Sequence, residues 1–394
     1  MTLGNAPPLD GVPALLRSSW YSGVVKVVAV AVGLLALGCE PCPEGYAEAG
    51  PGSCARFVPG PTMLHVRRDH TATRLLDGRV LFVGGEHDGA LQVGDPNDTP
   101  YTAEIYDPVS AEFVEAARPL RGRSRHAALL LADGRVFVSG GSTNDGQDDS
   151  GHPCEIYDPA SDSWSDAPPH IEALGGHVLV ATPAGRLVAA NNLRTEVLEP
   201  GASVWTSAPA TPTGFPQSAS VQLRDGRLAM LGGYPGSTIV EILDLESLIW
   251  QSAAPMSVGR FGVTAAVLED GRVLAVGGEM EDLQSYGPNE LYDPAADRWT
   301  ALPAAHRPRE ELAATLLPDG VVLLTGGFRP WAPVAEVELF LPEVGKLAVT
   351  ASLAAARNAH SAVAMDDGRV LIAGGAVEGE GGADDLETEI FERR

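Results

Sequence analysis

The stretch Arg125-His126-Ala127-Ala128-Leu129-Leu130-Leu131-Ala132-Asp133-Gly134-Arg135-Val136-Phe137-Val138-Ser139-Gly140-Gly141, followed after a polar gap by Cys154-Glu155-Ile156-Tyr157-Asp158-Pro159 and Trp164, decides the fold. It reads as an apolar strand, a turn glycine, a second apolar run ending in a glycine pair, a third strand broken by Asp-Pro, and a fourth strand carrying an indole. The turn glycine recurs as Gly78, Gly134, Gly185, Gly226, Gly271, Gly320 and Gly368. Seven residues after each comes the second member of a pair: Gly84-Gly85, Gly140-Gly141, Asn191-Asn192, Gly232-Gly233, Gly277-Gly278, Gly326-Gly327 and Gly374-Gly375. Twenty-one residues before each stands Phe57, Phe113, Trp164, Trp205, Trp250, Trp299 or Leu347. Nine before six of these is a glutamate: Glu104, Glu155, Glu196, Glu241, Glu290 and Glu338, with Glu389 a seventh that no aromatic follows.

Offsets held through seven units define a repeat of about 48 residues, each unit four short strands. Second-strand runs such as Val370-Leu371-Ile372-Ala373 are apolar throughout, as a strand covered on both faces requires. Six before the turn glycine the residue is small (Ala72, Ala128, Ser220, Ala265, Ala314, Ala362), Leu179 excepted, which places the first strand innermost. The fold class is therefore all-β: a seven-bladed β-propeller of four-stranded antiparallel blades, each bulky fourth-strand residue sealing one blade on the next for about 1.5–3 kcal/mol. Phe57 has the fourth-strand offset with no strands before it, and Glu389 begins a third strand with no fourth after it. The N-terminal strand near Arg56-Phe57-Val58 thus joins the C-terminal blade and closes the ring, removing exposed edges.

Asp-Gly turns suggest a two-residue type I′ hairpin, but Pro183-Ala184-Gly185 and Pro318-Asp319-Gly320 suit a type I turn with the glycine in a G1 bulge, and the bulge is expected. Asn191-Asn192 replaces the glycine pair with the residue type that best tolerates left-handed φ, so the pair is read as serving backbone conformation.

These units resemble kelch repeats over about residues 55–394. The approach to the first strand fits as well: Arg67, Arg123, Arg260, Arg309 and Arg357 lie eleven before the turn glycine, and His70, His126, His177 and His360 eight before it. Third-strand tyrosines stand at Tyr106, Tyr157 and Tyr292, with Leu198 and Leu243 in their place in units three and four. The resemblance implies a binding scaffold or, as in galactose oxidase and sialic-acid mutarotases, an enzyme; fold alone does not choose.

Of 394 residues, 44% are hydrophobic, 27 are basic and 52 acidic, and the net charge of −25 sets nucleic acid aside as a partner. Val27 to Gly38 is an apolar run behind Arg17 and Lys26, too short for a bilayer span and matching a signal-peptide core. It ends in Leu35-Ala36-Leu37-Gly38-Cys39, which resembles a bacterial lipobox with Cys39 as the lipidation site. The expected organisation is a lipoprotein signal peptide over 1–38, a Pro/Gly-rich tether over 39–54 and the propeller over 55–394. An ordinary cleaved secretory signal is the alternative. The address that follows is the bacterial cell envelope, outer membrane, held by lipid alone, with the propeller monomeric. Cys42 and Cys54 bracket a small loop and are the disulfide candidates in that oxidising compartment. Cys154 begins a strand with no catalytic arrangement around it and reads as a buried thiol.

A residue recurring at one offset in most blades is expected to be structural, so the glutamates partner repeat arginines or backbone amides, and the repeat histidines are hydrogen-bonded rather than metal-bound. Function is expected where the repeat varies. Antiparallel strands bring the second-to-third and fourth-to-first connections to one face. The distance from the pair to the glutamate is 19, 14, 4, 8, 12, 11 and 14 residues in chain order, longest in units one, two and seven, which adjoin round the ring. Those three connections are acidic: Glu86, Asp88, Asp95 and Asp98; Asp145, Asp148 and Asp149; Glu378, Glu380, Asp384, Asp385 and Glu387. The non-repeat histidines His65, His87, His152, His170 and His306 also fall on this face. The expected ligand face is thus an acidic surface over blades seven, one and two with His87 and His152, and a channel mouth lined by Arg67, Arg123, Arg260, Arg309 and Arg357, recognising a protein or glycan. Carboxylates in Asp95 to Asp98 and Asp145 to Asp149 offer oxygens for calcium without an EF-hand spacing. No His-Glu-x-x-His motif, nucleophile elbow or phosphate loop occurs, and Cys154 and Tyr157 share one strand, so neither metal, cofactor nor catalytic residue is expected. A sugar-processing enzyme using an Arg/His-lined mouth is the rival reading.

Overall fold

In the computed structural model the described residues are 42–50, 52–86, 101–142, 153–172, 174–191, 193–211, 218–234, 236–280, 288–303, 309–329, 332–377 and 387–394. Blades one to five are each four consecutive antiparallel strands. Blade two, for instance, is Ala127–Leu130, Val136–Ser139, Cys154–Asp158 and Ser163–Ala167. Blade six follows the same order, with a two-residue hairpin of Phe328–Arg329 and Ala332–Pro333 between its second and third strands. Blade seven takes Ser361–Ala364, Val370–Ala373 and Glu389–Arg393 from the C-terminus and Cys54–Pro59 from the N-terminal side, with Phe57 opposite Phe391. The ring closes as the offsets predict.

First strands of adjacent blades lie against one another round the axis, which explains the small residues there. Second strands such as Val80–Val83 and Val370–Ala373 are buried along their whole length. The core lies between blades: Met63, Val80, Phe82 and Tyr106 of blade one pack with Leu371, Ala373 and Ile390 of blade seven. In blades two to five the fourth-strand indole seals the blade to the preceding one. Trp164 Nε1 donates to Ala117 O at 2.7 Å, Trp205 to Pro168 O at 2.8 Å, Trp250 to Pro209 O at 3.0 Å and Trp299 to Ala254 O at 2.8 Å.

All seven first turns are the expected bulge. Gly78 N donates to Leu75 O while Leu75 N donates to Arg79 O, and the glycine alone in the turn has positive φ (+88°). Pro183 and Ala184 therefore fit without strain. In five blades the turn aspartate also binds the following arginine, as Asp133 Oδ1 accepts Arg135 N and Oδ2 accepts Arg135 Nε.

The segment expected as tether is partly built into the sheet. Cys42 and Cys54 are joined in a disulfide, and Ala47–Glu48 folds back on Cys54–Ala55 as a fifth strand of blade seven. Tyr46 lies under the guanidiniums of Arg56 and Arg394. Residues 1–41, Cys39 among them, lie outside the described residues.

Candidate functional site: the loop-face channel mouth

The repeat arginines do not line a channel mouth. Arg67, Arg123, Arg260, Arg309 and Arg357 are at most 2% exposed, and each guanidinium is held inside its blade by the third-strand glutamate: Arg67–Glu104 and Arg123–Glu155 at 2.7 Å, Arg260–Glu290 at 2.9 Å, Arg309–Glu338 at 3.0 Å and Arg357–Glu389 at 3.3 Å. Arg67 Nη1 also donates to Gly84 O, and the equivalent bond recurs from Arg123, Arg260 and Arg357. A buried guanidinium survives only with such partners, so its place is set by the glutamate rather than by a ligand. The second carboxylate oxygen accepts a backbone N–H of the fourth-to-first connection, as in Leu64 to Glu104 and Leu120 to Glu155. Blade three has Leu174 at the arginine position; there Glu196 instead takes His170 Nδ1 at 2.9 Å, so His170 is structural too.

The repeat histidines each share a hydrogen bond with a hydroxyl of the preceding blade: His70 with Ser361, His126 with Thr71, His177 with Ser139 and His360 with Thr325, at 2.8–3.0 Å. Burial, the dominant cause, holds His70, His177 and His360 down to about 3, and His126 well below its ordinary value, so all are neutral near pH 7. Each ring lies on the first glycine of the neighbouring pair, as His126 on Gly84 and His70 on Gly374. The second glycine donates its N–H to the next blade's arginine carbonyl, Gly85 to Arg123 and, across the closure, Gly375 to Arg67, both at 2.9 Å. The pair thus serves close packing as much as conformation. In blade three, Asn191 does not adopt the expected positive φ; its Oδ1 caps the N–H groups of Leu193 and Arg194.

What remains at the mouth is a girdle the sequence did not announce. Two residues past the repeat arginine, the backbone is left-handed in the six blades where that position is described: Asp69 (+52°), Arg125 (+53°), Gly176 (+58°), Gly262 (+61°), Glu311 (+52°) and Ala359 (+52°). Blade-to-blade bonds link them: Asp69 N to Ala359 O, Arg125 N to Asp69 O, Gly176 N to Arg125 O and Glu311 N to Gly262 O. Arginine, glutamate and alanine resist this region, and only the two glycines hint at it in sequence.

The girdle's charges are unevenly matched. On blades one and two, Arg125 pairs with Asp69 at 3.1 Å and Glu86 at 3.6 Å, and Arg68 with Glu86 at 3.5 Å. On blades five and six stand Glu279, Glu310 and Glu311. Burial and then the charges of Glu311 and Glu279 push the Glu310 carboxyl up to about 7. His65 binds Glu115 at 2.8 Å. Of the acidic ligand-face set, His87, His152, Asp95, Asp98, Asp145, Asp148, Asp149, Glu378, Asp384 and Asp385 lie outside the described residues.

Clefts among the described residues occur on the opposite face. One of about 470 Å³ between blades five and six is lined by Arg272, Asp319, Val344 and Arg393, and one of about 250 Å³ between blades one and two by Leu76, Asp77, Arg135 and Asp158. They occupy equivalent grooves between neighbouring turns, and recurrence marks them as architecture.

Four antiparallel strands per blade, seven blades and a closure shared by both ends of the propeller define a seven-bladed β-propeller. With its arginine–glutamate pairs, glycine pairs and stacked Tyr157–Trp164 and Tyr292–Trp299, the chain is a kelch-repeat propeller. It is 29% identical over 224 residues to Kelch-like protein 34 of Homo sapiens, covering 50% of this chain and 33% of that protein. To galactose oxidase of Gibberella zeae it is 23% identical over 320 residues, 77% of this chain and 43% of the other. The chain therefore spans a third and less than half of these relatives' lengths. A solved fungal alcohol oxidase of the AA5 family, in complex with copper, matches with a TM-score of 0.67 at 16% identity, covering 88% of this chain and 76% of that one, a likeness of fold. No family model matches.

Among the described residues no three His, Cys, Asp or Glu side chains converge as a metal ion would require. Cys154 and Tyr157 fall on opposite faces of one strand. The Cys154 thiol is buried and pushed up to about 12, and Tyr157 donates its hydroxyl proton to Asp162 Oδ1 at 2.8 Å.

Proposed function

We propose that this protein is a non-catalytic binding scaffold that recognises a protein or glycan through the variable second-to-third and fourth-to-first connections on one face. It is exported and lipid-anchored at Cys39 in a bacterial cell envelope, as the short apolar run and the Ala-Leu-Gly-Cys sequence suggest. One observation carries the reading: the repeat arginines, glutamates and histidines are consumed by contacts within and between blades, so the chemistry left to vary sits on the loop face. Variable connections on a rigid frame are where propellers place recognition. A carbohydrate oxidase or mutarotase-like enzyme is the second reading, favoured by the galactose oxidase and alcohol oxidase similarities. Protein and glycan arrays probed with the full chain, with and without exchange of residues 142–153 for the shorter connection of blade four, test the choice. Binding that the exchange abolishes supports the scaffold; turnover of a sugar with product release supports the enzyme.

A further inference from the structure

One side of the girdle carries carboxylates that the fold does not satisfy. Glu279 is only 9% exposed, and no side chain of a described residue pairs with its carboxylate. It stands directly opposite Phe261 in the strand pair, so the two side chains share one face. Glu310 reaches the same spot from blade six. A Cβ on Gly262 would come within 2.6 Å of Glu310 Oε2, so the girdle position that carries a side chain in four other blades is glycine where this carboxylate needs room. Glu311 follows on the girdle, exposed, and accepts a hydrogen bond from Asn358 Nδ2. The ring of Tyr234, half exposed, stands edge-on to Phe261 with centroids 5.4 Å apart.

Glu279 is buried and Glu310 half-buried, and like charges held together beside aromatic rings make a receptor for a cation. A bare metal ion does not fit, because no three carboxylates converge among the described residues. The surface is net acidic, which favours a cationic partner over a second copy of this chain.

We propose that Glu279 and Glu310, with Tyr234 and Phe261 and with Glu311 on the rim, form a receptor at the channel mouth between blades five and six for a lysine ammonium group of a protein partner. This rests on the loop-face reading and names the partner's chemistry. Among the described residues the charged groups facing Glu310 are Glu311 on its own blade and Glu279 on blade five, and Arg125 of blade two is drawn to Glu311. In the free protein Glu310 takes up a proton near pH 7, and an arriving ammonium displaces it. Affinity therefore falls as the pH drops below about 7.

The test is fluorescence anisotropy with a labelled, end-blocked Gly-Lys-Gly-Lys-Gly peptide and the full chain. The same peptide with acetylated lysines is expected to bind at least ten-fold more weakly. Glu279→Gln and Glu310→Gln should each lose a comparable factor, while Glu269→Gln on the opposite face changes nothing; melting curves on the same samples verify folding. Equal binding of the acetylated peptide, unchanged affinity in folded Glu310→Gln, or no binding of the lysine peptide overturns the proposal. So does calcium chloride competing with the peptide in a Glu279- and Glu310-dependent way, which would make the site a metal site. Failure here with arrays still positive leaves the loop-face reading standing; failure of both removes it.

Discussion

The two faces of the ring are built from the same strands and differ in what recurs. On the turn face each blade makes the same bulged turn, and five add the same Asp–Arg clasp, Asp77 with Arg79 and Asp367 with Arg369 among them. On the loop face the inner girdle repeats its backbone angle but not its side chains: Asp69, Arg125, Gly176, Gly262, Glu311 and Ala359 occupy one position. Repetition in both backbone and side chain marks structure, and repetition in backbone alone leaves the side chain open to recognition. That distinction separates Arg123, buried on Glu155, from Arg125 two residues later, whose side chain is 64% exposed.

The comparison can be pressed hardest with acid. His126 and His177, each less than a tenth exposed, have folded-state values far below the 6.5 of an unfolded histidine. The unfolded chain takes up protons first, so stability is fully present above about pH 6.5 and declines below it, for His177 down to about 3 and by about 1.4 kcal/mol per pH unit, with His126 acting in the same direction. Denaturant unfolding at pH 7, 6 and 5 should show that slope, and replacing His177 with glutamine should reduce it. Next, Arg67→Met leaves Glu104 buried without its counter-charge and should cost about 3–5 kcal/mol in chemical denaturation, whereas Arg125→Met should cost under about 1 kcal/mol. Replacing Cys42 and Cys54 with serine frees a short loop at the closure and should cost about 2–3 kcal/mol, with hydrogen exchange rising first in residues 47–59. Smallest, Trp164→Phe keeps the ring but removes the donor to Ala117 O, for about 1 kcal/mol.

Much of this frame was readable in the sequence because spacing alone carries it. Seven turn glycines fixed the blade number, and Phe57 without preceding strands fixed the closure on Phe391. Pro183-Ala184 chose the turn type, since neither residue accepts positive φ. The glutamates were legible as partners of the arginines. The arginines themselves were drawn into the ligand face although they recur as regularly as the glutamates; the same offset argument, applied to them, places them inside. Asn191 misled because asparagine both tolerates left-handed φ and caps amides, and composition does not say which it is doing. The girdle was illegible: a positive φ at Arg125, Glu311 or Ala359 is imposed by neighbouring blades and leaves no mark in residue type. The packing of Glu310 against Gly262 is likewise a meeting of two blades 48 residues apart.

The central claim is that the repeat holds the ring while the loop face recognises. It is tested most directly by replacing the acidic residues of the connections in blades seven, one and two with their amides, Asp95, Asp98, Asp145, Asp148, Asp149, Glu378, Asp384 and Asp385 together. Affinity for an array-identified partner is then measured on the folded protein. The account predicts loss of binding with an unchanged unfolding midpoint; full binding by the neutralised protein would contradict it.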